Sequence, residues 1–218
     1  MILSIDTTSE FGSIALTDSG RAVAEVPLHS PDGFGHILFP QIEQLLARNG
    51  VAIGEMECFA AASGPGSFTG VRVGLAAAKG LADTTGRRVV AVSNLRALAF
   101  FGSAALRATV LDARRGEVFG AVYDDRLEIV SPEVVMRFPD WLSTLPAESF
   151  EFIATDFSPF AAHVASGVAV ITAPRALAAA VGHIAWRDFT AGRSRDPAEI
   201  DANYVRRSDA ELFWKEKG

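Results

Sequence analysis

The chain has 218 residues, 49% hydrophobic and 21% charged, an ordinary globular composition with enough apolar residues to bury a core. Its net charge of −6 argues against a main surface that grips nucleic acid or an anionic membrane, since both need clustered Lys and Arg. The single cysteine, Cys58, rules out an internal disulfide and suggests a reducing compartment. No apolar run reaches the roughly 18 uncharged residues of a membrane span, so a soluble, cytoplasmic protein is expected.

Residues 2–5 read as a short apolar strand ending at Asp6. A polar turn over 7–11 follows, then a strand over 12–16, a turn at Asp18-Ser19-Gly20 and a strand over 22–28, a meander of hairpins. After a loop at 30–35, Ile37, Leu38, Ile42, Leu45 and Leu46 fall at helical spacing, opposite Gln41, Glu43, Gln44 and Arg48. Pro40 suits the first turn of that helix or kinks it, and Asn49-Gly50 stops it. A strand at 59–62 leads into SGPGSFTGVRVG at 63–74; a helix then runs from about Thr69 to Asp83, and 88–92 is another strand.

The run Thr109-Val110-Leu111-Asp112-Ala113-Arg114-Arg115-Gly116-Glu117-Val118 repeats the plan of Leu3 through Ile14: a strand ending in Asp, a polar turn, and a second apolar strand. The spacing is about half the chain and marks a duplicated unit. Asp140-Trp141-Leu142 starts a helix, 152–154 and 168–171 are strands, and 176–189 is an amphipathic helix with Leu177, Val181, Ile184 and Ala185 at helical spacing. Residues 192–196 are charged and loop-like, and Tyr204-Val205-Arg206-Arg207 with Phe213-Trp214-Lys215 suggest a final docked segment.

The glycine turn raises a phosphate question. Gly64, Gly66 and Gly70 give Gly-x-Gly-x-x-x-Gly, the wrong spacing for a dinucleotide fold, and no Lys stands near Gly70 for a Walker loop. A nucleotide cradle and a tight strand-to-helix connection with close backbone approach both remain open. The small side of the next helix (Gly74, Ala77, Ala78, Leu81, Ala82) suits a closely docked partner helix or internal packing. Asp6 and Asp112, each at a strand end, could hold Mg²⁺ and phosphate as in actin-like ATPases, or could cap their turns by side-chain to backbone bonds. His29, His36, His163 and His183 form no close ligand pair, and no Gly-x-Ser-x-Gly elbow exists.

Four blocks together carry a resemblance: Ile5-Asp6-Thr7-Thr8, Gly64 through Gly74, Asp112-Ala113-Arg114-Arg115-Gly116-Glu117-Val118, and Tyr204-Val205-Arg206. In order and spacing they closely resemble the bacterial TsaB (YeaZ-type) family across essentially the whole chain. One departure is Phe34, which stands where that family commonly has a His six residues before the helix proline. The resemblance implies an actin-like (ASKHA) α/β fold of two RNase H-like subdomains, with mixed sheets flanked by helices. The expected division is 1–103, joined by 197–218, and 104–196. It implies a non-catalytic partner of a TsaD-type transferase that forms N6-threonylcarbamoyladenosine beside the anticodon of tRNAs reading codons that start with A. A TsaE-type ATPase would join that pair; alone, the chain would self-pair, and tRNA would be contacted only indirectly. No metal and no cofactor of its own are expected, and ATP only at a shared interface. The partner face would comprise Ile37, Leu38, Gln41, Ile42, Leu45, Val71, Gly74, Leu75, Ala78 and Leu81. The turn Gly64, Pro65, Gly66, Ser67, Phe68, Thr69 and Gly70 would launch its second helix, and Asp6, Thr7 and Asp112 would be residual nucleotide-site positions. The competing readings are an actin-like ATPase or small-molecule kinase and, more distantly, a metallopeptidase.

Overall fold

The computed structural model describes residues 1–205. Arg206, Arg207 and Phe213-Trp214-Lys215, part of the expected final segment, lie outside them. The described chain forms two compact units, Met1–Ala97 with Pro174–Ala202, and Leu98–Ala173 with residues 203–205.

In the first unit β1 (Ile2–Asp6), β2 (Phe11–Asp18) and β3 (Arg21–His29) form an antiparallel meander. α1 (Leu38–Asn49) and a 3-10 turn lead to β4 (Cys58–Ala62), then come α2 (Phe68–Thr85) and β5 (Arg88–Val92). β1, β4 and β5 run parallel, so the sheet order is β3-β2-β1-β4-β5. Alternation along β1 sorts the two sheet sides. Leu3 and Ile5 belong to the apolar core that contains Leu38, Ile42, Leu45 and Leu46 of α1 and Val71, Leu75, Ala78 and Ala82 of α2. Full burial of each large aliphatic side chain contributes roughly 1.5–3 kcal/mol, which is why a helix of twelve residues with no side-chain N-cap holds its place. Its C-terminus closes on Gly50 at φ 65, where the amide donates to Ala47 O and Leu46 O.

The second unit repeats the plan. β6 (Leu106–Arg114), β7 (Glu117–Asp124) and β8 (Ile129–Arg137) form the meander, β9 (Glu151–Ala154) pairs parallel to β6, and β10 (Val170–Thr172) pairs parallel to β9. The order β8-β7-β6-β9-β10 matches the first sheet strand for strand, so the fold is actin-like, with two RNase H-like halves. One short helix, α4 (Phe138–Leu142), covers this sheet; Trp141 lies so close to Gly120 on β7 that a Cβ there would fall 2.4 Å from the indole. Phe138, Trp141, Phe152 and Phe160 make the core around it.

The division differs from the expected 103/104 and 196/197 boundaries. The helix α5 (Ala178–Thr190) follows β10 in sequence, yet it packs on the back of the first sheet. Ser4 Oγ donates to Ala178 O at 2.7 Å, Ala178 N donates to Ser13 Oγ at 2.8 Å, and Ala179 N donates to Glu25 Oε1 at 2.9 Å. The side opposite Leu3 and Ile5 carries Ser4, Ser13 and Ala15, small enough for a helix to come very close. A Cβ on Gly182 would fall 2.1 Å from Thr17 Oγ1. Farther on, Arg195 bridges backbone to backbone with Val89 at the edge of β5. Besides three short 3-10 turns, β8 and a six-residue helix α3 (Asn94–Ala99) escaped the sequence reading. The strand expected at 168–171 sits slightly later, as β10. Among the described residues no helix is long and apolar enough to cross a membrane.

Candidate functional site

The loop after β1 and the glycine turn after β4 meet in the first unit, and their contact answers the phosphate question. Thr7 Oγ1 donates to Gly70 O at 2.7 Å, and Ser67 N donates to Thr8 O at 2.6 Å. Each relevant glycine faces that loop at a distance no side chain tolerates. A Cβ would sit 2.5 Å from Thr8 O at Gly66, 2.0 Å from Thr7 O at Gly70 and 2.6 Å from Thr7 Oγ1 at Gly74. The glycines therefore admit Thr7 and Thr8 of the chain's own loop, and their spacing is accounted for by that close approach. Ser67 starts α2 as its N-cap, accepting from Gly70 N at 3.3 Å. Gly64 and Pro65 are buried, while Phe68 and Thr69 are exposed on the first turn.

A buried polar chain locks this arrangement. Thr8 N and Thr8 Oγ1 both donate to Asp6 Oδ1, at 3.0 and 2.7 Å. Asn94 Nδ2 donates to Thr8 Oγ1 at 2.7 Å, and Gly64 N donates to Asn94 Oδ1 at 3.0 Å. Asp6 thus caps its own turn. Asp112, in the other unit, does the same, accepting from Arg114 N at 2.7 Å with Arg114 Nη1 3.6 Å from its second oxygen. Both carboxylates serve turns; no basic side chain stands in the 7–11 loop to hold a phosphate. Asn94 is a residue the sequence reading missed: it starts a helix too short to show a period, and its role depends wholly on partners far along the chain.

Burial pushes the Asp6 carboxyl above the usual carboxylate range, and the Glu25 charge adds to this; the bonds from Thr8 and Asn94 pull the other way. The folded state therefore holds this proton more tightly than the unfolded chain does. Stability from Asp6 is complete below the unfolded value and is lost as pH rises through the raised folded value. Urea midpoints of the wild type should fall along that arm of the pH profile. In Asp6→Asn, which keeps an acceptor for both Thr8 bonds, the Asp6 contribution to the slope should vanish; an unchanged slope would place the titration elsewhere. Cys58 is buried in β4, and burial pushes its thiol up to about 12, so it is no nucleophile at neutral pH. Among the described residues no group of three or more His, Cys, Asp or Glu side chains could hold a metal.

The expected helix face needs correction. Leu38, Ile42, Leu45, Val71, Leu75 and Ala78 are all 5% exposed or less, and Gly74 is buried too. They cover their own sheet, and Leu38 alone among them also lines an open groove. Of the residues named for that face, Ile37, Gln41 and Leu81 are partly exposed. What stays open lies one step round each helix: a groove of about 280 Å³ lined by Gly35, Leu38, Phe39, Val73, Ala76 and Ala77. Phe39 is 53% exposed on its rim. At the start of α2 the Arg72 guanidinium lies 3.6 Å over the Phe68 ring. The signal for the groove was present in the sequence. A helix side that should carry charges carries Phe39 on α1, and Val73, Ala76 and Gly80 on α2. Phe34, six residues before Pro40, is buried and packs on Gly12, where a Cβ would fall 2.8 Å from the ring.

A family model described as "TsaD: tRNA N6-adenosine threonylcarbamoyltransferase" matches residues 26–191. The chain is 34% identical over 149 residues to the "tRNA threonylcarbamoyladenosine biosynthesis protein TsaB" of Bacillus subtilis, a stretch covering 66% of this chain and 65% of that protein. It is 33% identical over 148 residues to the protein of the same name in Escherichia coli, covering 62% and 64%. The matched stretch thus spans just under two thirds of the length of these relatives. Among solved structures, "YeaZ from Pseudomonas aeruginosa" superposes with a TM-score of 0.82 at 26% identity, covering 93% of this chain and 98% of that one.

Proposed function

Because the chain belongs to the family of that TsaD model, and within it to the TsaB (YeaZ) group, we propose that it is the non-catalytic partner subunit of a tRNA-modifying complex in the cytoplasm. The complex would form N6-threonylcarbamoyladenosine beside the anticodon of tRNAs reading codons that start with A. The transfer would take place on a TsaD-type partner, joined by a TsaE-type ATPase, with tRNA held mainly by the partner. The observation that supports this reading is the contact between the 7–11 loop and the glycine turn: Gly66, Gly70 and Gly74 face the chain's own Thr7 and Thr8, so the glycine spacing is explained without a nucleotide. The same observation disfavours an ATPase or small-molecule kinase. ATP then belongs at an interface shared with the partner, and this chain needs no metal.

The partner face in this reading is the groove between α1 and α2, lined by Phe39, Val73 and Ala76, with the partly exposed Ile37, Gln41 and Leu81 at the same two helices. An open apolar groove on a small helix side supports close docking of a partner helix, and the same face would serve self-pairing when the chain is alone. The test is light scattering on a sizing column, first with this chain, then with a TsaD-type protein added. A self-pair that exchanges into a one-to-one mixed pair is expected. Ala76→Glu should abolish both pairs, a loss of tenfold or more in affinity (about 1.4 kcal/mol), while the melting curve stays within roughly 0.5 kcal/mol of wild type. A wild-type monomer that ignores the partner would overturn the function, and pairing that survives Ala76→Glu would overturn the face.

A further inference from the structure

At the mouth of the 7–11 loop three flat groups are layered. Phe11 opens β2 and His29 closes β3; they are register partners, and their rings stack with centroids 4.6 Å apart and planes 19° from parallel. The Arg175 guanidinium carbon lies 4.3 Å from the centroid of the same Phe11 ring. Glu10 Oε2 stands 4.0 Å from His29 Nε2, at the imidazole edge. All four residues belong to the first unit. The stack opens to solvent, since Arg175 is exposed and the His29 side chain is 54% exposed. Cross-strand aromatic pairing accounts for Phe11 against His29, and the Arg175 plane on the same ring goes beyond what the sheet needs.

We propose that the Arg175–Phe11–His29 stack is a platform on which an unpaired nucleobase lies flat. Aromatic rings and the Arg plane are the groups on which splayed-out bases stack, and every base has the matching π-face. Such a contact needs no cluster of positive charge, so it suits a chain of net charge −6. Phosphate contacts would then come from the partner, and the neighbouring Glu10 keeps backbone phosphates off this spot. The proposal rests on the tRNA reading above for its choice of RNA. A free nucleotide offers the same base, and the test separates the two sources.

The test uses the assembled pair with an unmodified tRNA transcript carrying 2-aminopurine at an unpaired position; stacking quenches that fluorophore. Wild type should quench it. His29→Ala should weaken tRNA binding roughly fivefold to a hundredfold, with the salt slope unchanged because no phosphate contact is lost. His29→Phe, which keeps a ring, should restore both signals, and Arg175→Ala should weaken binding in the same way. Competition by AMP would identify a free nucleotide as the source of the base, and indifference to AMP would identify RNA; both outcomes support the platform. Equal quenching and affinity in wild type and His29→Ala would overturn it. Should the pair fail to assemble, the assembly reading falls, and quenching of the same labelled tRNA by this chain alone then decides the platform.

Discussion

Ala78→Arg should unfold the first unit rather than merely block a partner. Ala78 is fully buried on α2, inside the core that also holds Leu3, Ile5, Phe59 and Ala61. An arginine there must either carry an unpaired charge into that core or prise the helix off the sheet. An uncompensated buried charge costs roughly 3–5 kcal/mol, and overpacking adds about 1–3 kcal/mol. Total stabilities of domains are about 5–15 kcal/mol, so the expected result is a lost or strongly lowered melting transition. The substitution looks from the sequence like a test of pairing, because Ala78 sits on a small-residue helix side. Two positions away, Ala76→Glu on the open side should leave melting intact and abolish pairing. If Ala78→Arg melted like wild type, the side of α2 assigned to the sheet would be wrong.

Gly70→Ala should be the most damaging of the methyl-sized changes. The added Cβ would fall 2.0 Å from Thr7 O and 3.1 Å from Thr7 C, so two stretches of backbone must separate. That separation also breaks the bond from Thr7 Oγ1 to Gly70 O. A loss of about 3 kcal/mol in urea unfolding is expected, at the upper end for overpacking. Gly80→Ala supplies the comparison on the same helix. A Cβ on Gly80 meets nothing within 4 Å, so the change should stabilise by roughly 0.5–1 kcal/mol through helix propensity alone. A phosphate-binding role would give a different pattern: Gly70→Ala would spare stability and change nucleotide affinity instead.

The halves of the fold were readable because local patterns carried them. The repeat of Leu3 through Ile14 in Thr109 through Val118 reports two copies of one hairpin, and the two five-stranded sheets have matching strand orders. Period 3.6 in α1, with Pro40 in its first turn and Gly50 past its end, needs no tertiary help. β8 escaped notice for a local reason as well. Pro132 interrupts it, and its pairing with β7 shifts register twice, so the alternation is broken; an edge strand tolerates both. The short helix at Asn94 has too few residues for a period.

The sequence by itself determined the longer strands and helices, β8 and α3 aside, and which side of each long helix is apolar. It also determined that the chain contains two copies of one unit, since each copy shows the same local strand–turn–strand pattern. The tertiary structure decided everything that depends on groups far apart in sequence. α5 stands after the second sheet in sequence but packs on the first, because Ser13 and Glu25 cap its amides and Ser4, Ala15 and Gly182 let it approach. The glycines of the 63–74 turn could have cradled a phosphate or a backbone; only the position of Thr7 and Thr8 settles that they take the backbone. A helical period likewise shows where an apolar stripe is centred, but not how much of it the protein's own sheet covers. That width decided that Leu38, Ile42 and Ala78 are core, and that Phe39, Val73 and Ala76 line the groove left open.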